Sequence, residues 1–175
     1  GGSRHGLVFK YGLTTAYDFS TIDTVAYDGS TNTDGYQKLD PDVGGVTGIS
    51  AKPDGTKIFV TGTSGSDIII KQFSLSTANN LATADTVAYD ASSNTDGYKE
   101  YTFSDFTSGN AQHSLIFSSD GTKLFTFEVV SGNDKLHQYS LTTAWDIGSM
   151  NHDGSITLQS DVYDPLGLTS DIHTP

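Results

Sequence analysis

One sequence block occurs three times, and its spacing constrains the fold more than any other feature. Tyr11-Gly12-Leu13-Thr14-Thr15-Ala16, Phe73-Ser74-Leu75-Ser76-Thr77-Ala78 and Tyr139-Ser140-Leu141-Thr142-Thr143-Ala144 lie 62 and then 66 residues apart. Asp23-Thr24-Val25-Ala26-Tyr27-Asp28 and Asn32-Thr33-Asp34-Gly35-Tyr36 recur 62 residues later, beginning at Asp85 and Asn94. Asp54-Gly55-Thr56-Lys57-Ile58-Phe59 recurs 66 residues later, from Asp120 to Phe125. Blocks that keep one order and nearly one spacing mark a chain built from one supersecondary unit used repeatedly. The 175 residues divide into units of approximately 6–45 (partial), 46–112 and 113–165, about two and a half in all. Residues 1–5 read as a tail or a remnant outside this repeat domain. The four extra residues of the longer interval fall between Tyr98 and Ser119.

Each unit reads as short strands joined by tight turns. Val46–Lys52, Lys57–Gly62, Ile68–Leu75 and Thr86–Tyr89 are the expected strands of the middle unit. Leu115–Ser118, Lys123–Val130, Lys135–Leu141 and, more weakly, Ser155–Leu158 are those of the next. Asp54-Gly55 and Asp120-Gly121 supply the backbone angles that hairpins need. Gly65–Asp67 and Gly132–Asp134 mark further turns. After Ser-Thr-Ala or Thr-Thr-Ala comes a loop or a single helical turn. The acid composition agrees: 19 Asp against 2 Glu favours turns and caps over helix interiors. The expected fold class is therefore all-β, with four antiparallel strands per unit.

Four antiparallel strands repeated radially describe a β-propeller blade. Pro53-Asp54-Gly55-Thr56-Lys57-Ile58-Phe59-Val60 resembles the Pro-Asp-Gly core of the YVTN and related propeller repeats. The longer run Gln138–Ile147 resembles repeats of predicted extracellular and phage structural proteins. The resemblance implies β-propeller-like repeats and a structural or adhesive role on an extracellular or virion surface. Ser119 stands where the repeat has Pro, and the unit exceeds the usual length of about 40–50 residues. Closed propellers use about 4–8 blades, so two and a half would form part of a larger or oligomeric assembly.

Net charge is −12 with 9 basic residues, which provides no electrostatic footprint for nucleic acid. No stretch approaches the roughly 20 apolar residues of a membrane-spanning helix. There is no Cys, so thiol chemistry and disulfides are excluded. The duplicated loop is the candidate metal site: Asp28, Asn32 and Asp34, and again Asp90, Asn94 and Asp96, place oxygens near an Asp-Gly bend as calcium loops do. Serines at positions 30 and 92 occupy the first ligand position, and the twelfth position holds Pro41 or Phe103, so this is no EF-hand. The alternative is that Asp, Asn and Gly form consecutive turns. The histidines show no paired metal-ligand spacing. His137 stands where its copy has Lys71, which favours a solvent-facing position, and His113 opens a strand. Tyr17 and Trp145 occupy equivalent positions, suited to stacking on a glycan or to plugging the groove between units.

No nucleophile elbow or phosphate loop is present. The leading expectation is a non-enzymatic structural or adhesive module that binds other subunits or glycans. The alternatives are a fragment of a propeller-type metal-dependent lactonase or esterase, and a calcium-stabilised repeat.

Overall fold

The computed structural model describes residues 6–32, 35–106, 111–130 and 134–158. They form ten strands: β1 (Val8–Lys10), β2 (Gln37–Leu39), β3 (Gly44–Ala51), β4 (Lys57–Ser64), β5 (Asp67–Ser74), β6 (Lys99–Thr102), β7 (Ala111–Phe117), β8 (Lys123–Val129), β9 (Lys135–Leu141) and β10 (Met150–Thr157). These assemble into three antiparallel sheets, ordered β1-β2, β3-β4-β5-β6 and β10-β9-β8-β7. Each of the three units also carries one 3-10 turn, at Phe19–Thr21, Leu81–Thr83 and Ile147–Ser149.

The all-β expectation holds, but the propeller does not. The three sheets are separate, and none is closed or curled into a ring. The repeat specifies hairpins through local turn chemistry; closure depends on how many sheets pack and at what angle, which hairpins do not set. The resemblance to propeller repeats is thereby overturned, together with the blade description and the virion setting attached to it. A propeller-type lactonase, which needs a central channel ringed by blades, loses its scaffold too. Thr86–Tyr89 is not a strand: Ala88 makes only an isolated bridge to Tyr98, and the fourth strand of the middle sheet is β6. In the last sheet the fourth strand, β10, follows its 3-10 turn directly and pairs with β9 from Met150 onward. The expected turn at Gly132–Asp134 lies mostly outside the described residues.

The turns form for the reasons their sequences suggest. Asp54 accepts a hydrogen bond from the Thr56 backbone N–H (3.0 Å), and Asp120 does the same from Thr122 (3.0 Å). Gly55 and Gly121 sit at φ 73° and 72°, a left-handed conformation that costs other residues about 1–2 kcal/mol. The two-residue loop Gly65-Ser66 joins β4 to β5, whose ladder closes at Ser64–Asp67. Each 3-10 turn is capped by a repeat-equivalent residue. Asp18, Asn80 and Asp146 accept from the N–H groups of Ser20, Ala82 and Gly148, satisfying a donor that a helix start otherwise orphans.

Packing runs from sheet to sheet. Alternation along a strand sends successive side chains to opposite faces, and the middle sheet buries both. Ile58, Val60, Ile69 and Phe73 pack with Val8 and Leu39 of the first sheet. Phe59, Ile68 and Ile70 pack with Leu124, Tyr139, Leu141 and Ile147 of the last unit. Hence β5 carries the continuous apolar run Ile68-Ile69-Ile70, as expected of a strand covered on both sides.

The Gly121 turn is pinned beneath Trp145 of its own unit. A Cβ at this position would clash with the Trp145 indole ring, and the left-handed φ adds its own strain. Replacing Gly121 by Ala is expected to cost at least about 1–2 kcal/mol of stability, measured by urea unfolding, with the lost Trp145 packing visible in tryptophan fluorescence.

Candidate functional site

The surfaces by which one unit grips the next are the most developed feature of the molecule. In the first junction, Gln37 on β2 accepts a hydrogen bond from the Leu81 backbone N–H (2.7 Å), and Lys10, its cross-strand partner on β1, donates to the Asn79 carbonyl. In the second junction the two residue types exchange strands. Gln72 on β5 accepts from the Ile147 N–H (3.0 Å), and its partner Lys99 on β6 donates to the Asp146 carboxylate (2.7 Å). A cross-strand Gln–Lys pair thus holds the 3-10 turn of the following unit in both places. Lys57 adds a bond to the Trp145 carbonyl (2.8 Å); burial pushes its ammonium below the usual lysine range. The turn residues held this way are buried, Leu81 at 6% and Ile147 at 0% exposure. Complete burial of such a side chain contributes about 1.5–3 kcal/mol.

At the front end the same positions lie open, and at the back end they are partly open. Phe19, the counterpart of Leu81 and Ile147, is 78% exposed. Tyr11, the counterpart of buried Phe73 and Tyr139, is exposed and clusters with Phe9 and Tyr36 at ring distances of 5.8–6.2 Å. On the far side of the last sheet, Phe125, Leu136, Gln138 and Ile156 border a groove of about 290 Å³. Their middle-sheet counterparts at an offset of 66, Phe59, Ile70 and Gln72, are buried in the second junction.

The residues expected to act distribute as follows. The Asp28 carboxylate accepts from the backbone N–H groups of Ser30 (2.8 Å), Thr31 (2.7 Å) and Asn32 (2.9 Å) and from the Thr31 hydroxyl. Asp90 repeats this with Ser92 and Ser93. These bonds hold both carboxyls below the usual range, Asp90 at about 2. Asn32 and Asn94 donate their amides to Val25 and Ala26, and to Val87 and Ala88. Asp96 is exposed, and Asp34 lies outside the described residues. Asp28, Asn32, Asp90 and Asn94 thus fix the backbone of their own loops, and no group of three His, Cys, Asp or Glu fit to hold a metal ion occurs among the described residues. Trp145 is buried against Phe59 and Phe117 (ring centroids 6.2 and 5.0 Å), so it fills the space between two units instead of offering a stacking face. Tyr17 is 96% exposed.

The reading of His137 as solvent-facing is overturned, since the residue is 1% exposed. Its copy Lys71 is buried too, donating to the Asp42 carbonyl (3.1 Å) and lying 4.6 Å over the Tyr98 ring. The position tolerates a polar group because partners surround it. Glu128 Oε2 meets His137 Nε2 at 3.0 Å, His137 Nδ1 meets His152 Nε2 at 3.1 Å, and His152 Nδ1 meets Asp105 at 3.3 Å. Lys135 approaches Glu128 at 3.5 Å. Strand alternation held the available signal: His137 shares a face with Tyr139 and Leu141.

Two outcomes follow from these geometries. Adding calcium after chelation is expected to leave the thermal midpoint unchanged, because Asp28 and Asp90 already cap their own turns; an upward shift would indicate bound metal. The pH profile should have two steps. Burial lowers the His137 pKa from 6.5, so the unfolded chain binds the proton more readily and stability falls as pH drops below about 6.5. A second loss comes between about 4 and 2, where hydrogen-bonded Asp90 and Asp120 take up protons. In His137→Gln the upper step should flatten and the lower one persist, read from thermal midpoints across pH.

Among the described residues no helix is long and apolar enough to cross a membrane. Comparison with protein-family models, with curated proteins and with solved structures finds no match for this chain, so the junctions and the open end faces carry the functional reading.

Proposed function

We propose that this chain is a non-enzymatic structural or adhesive module of an extracellular assembly, acting by packing sheet on sheet with other subunits. One observation carries the reading: the positions that bind unit to unit inside the molecule are exposed at the front, at Tyr17 and Phe19, and partly exposed on the back face, at Phe125, Leu136 and Gln138. The acidic turn residues support it, because Asp28, Asp54, Asp90 and Asp120 each accept hydrogen bonds from the backbone of their own turns. The Glu128–His137 pair supports it as well, its two side chains being buried away from solvent. Surface glycans are a second class of partner, favoured by the almost fully exposed ring of Tyr17, which could stack on a sugar.

The stability of stacked repeats is approximately a sum of unit and nearest-neighbour terms. Two copies fused through a flexible Gly/Ser linker, studied at high dilution, should therefore unfold at a higher midpoint than one copy. A gain of at least about 4 °C is expected, since 1 kcal/mol moves the midpoint by about 2–4 °C at this size. Equal midpoints would show that the end faces do not stack.

A further inference from the structure

We infer that two separate copies of this chain dock head to tail, the back face of the last sheet of one copy receiving the first 3-10 turn of the next. The inference rests on the packing role proposed above and names its partner and geometry.

The template lies inside the molecule. In the second junction, Phe59, Ile70 and Gln72 receive Trp145 and Ile147. The back face presents the repeat-equivalent set Phe125, Leu136 and Gln138, all of them partly solvent-accessible. The front of the molecule presents Tyr17 and Phe19 at the positions of Trp145 and Ile147, at 96% and 78% exposure. Phe19 already has the required backbone: its turn is capped by Asp18 as the Ile147 turn is by Asp146, and Tyr17 shares the left-handed φ of Trp145 (63° and 59°). Docked alike, Phe19 enters the back groove, its N–H donates to the Gln138 amide oxygen as Ile147 does to Gln72, and the Tyr17 ring lies against Phe125. Lys123, the counterpart of Lys57, reaches the Tyr17 carbonyl by leaving Asp153, which it now meets at 2.9 Å. Two elements of the template are absent from the back face: the junction lysine, because Gly154 is the cross-strand partner of Gln138, and the apolar contact of Ile68, because Asp134 stands at its repeat position. A second copy fits better than an unrelated apolar partner because both halves of the lock occur in this one sequence. The contact joins two different faces, so each copy keeps one face open.

Sedimentation velocity of the full chain over rising concentration tests this, in 0.5 M salt so that the −12 charge of each copy is screened. The expected result is growth from 18.6 kDa to twice that mass and beyond. Phe19→Asp blocks the front and Ile156→Asp the back. Both side chains are exposed, and an unchanged thermal midpoint at high dilution verifies that each variant folds. Each variant alone should self-associate at least about tenfold more weakly, whereas an equimolar mixture should form a one-to-one dimer through the two intact faces. A wild-type chain that stays at 18.6 kDa up to about 1 mM overturns the inference. So does a mixture that yields no dimer, or variants that associate as the wild type does. If the linked copies gain stability while separate copies remain monomeric, the packing role stands and the docking of free copies is lost.

Discussion

A sheet with two apolar faces cannot stand in water, and the middle sheet has two. Ile58, Val60, Ile69 and Phe73 need cover on one side, and Phe59, Ile68 and Ile70 need it on the other. The order of the molecule follows from that requirement. A sheet before and a sheet after are obligatory, and each must meet the middle one with matching side chains. The Gln–Lys pairs set the alignment, since a buried turn N–H such as that of Ile147 would cost about 1–3 kcal/mol unpaired. Apolar burial supplies the attraction, and the amide acceptor determines where the following turn sits.

The same face accommodates different polar chemistry where partners allow it. Lys71 and His137 are repeat equivalents, both buried, and neither is supported as the other is. Lys71 uses a backbone carbonyl, a carboxylate at 3.6 Å and an aromatic face. His137 uses Glu128 and a second imidazole. Burial lowers the proton affinity of His137 even though Glu128 opposes the shift. Beside them, the Tyr139 hydroxyl is buried without a hydrogen-bond partner among the described residues, and burial drives its pKa far above the ordinary phenol range. A polar position in a repeat therefore need not be an exposed one.

Local chemistry was legible in the sequence and long-range chemistry was not. Asp54-Gly55 and Asp120-Gly121 announced their hairpins because the turn demands those residue types. The blocks around Leu13, Leu75 and Leu141 fixed the repeat, and the capped 3-10 turns that follow obey it. Ring closure was misjudged because Asp-Gly turns and alternating strands specify a hairpin, whereas the packing of one sheet on another is decided by residues some 60–90 positions apart, such as Gln72 with Ile147 and Lys57 with Trp145. Thr86–Tyr89 has strand composition yet forms one isolated bridge, because β6 occupies the edge beside β5. Of the sites, the Asp28 and Asp90 loops were visible by spacing. The end faces were not, since an exposed Phe19 means something only beside a buried Leu81 and Ile147.

The open faces acquire weight from what is done to the edges. Unpaired strand edges are the usual route by which β proteins associate, and here each edge of the two larger sheets is blunted. Three edge strands carry register shifts: β3 between Gly44 and Gly48, β7 between His113 and Leu115, and β10 between His152 and Gly154. The fourth, β6, is four residues long. Bulges twist an edge away from a prospective partner and interrupt its hydrogen-bonding row. With edge pairing discouraged and like charge opposing indiscriminate contact, the remaining favourable approach is face to face, where Phe19 at one end and Phe125 with Gln138 at the other already match the internal junction.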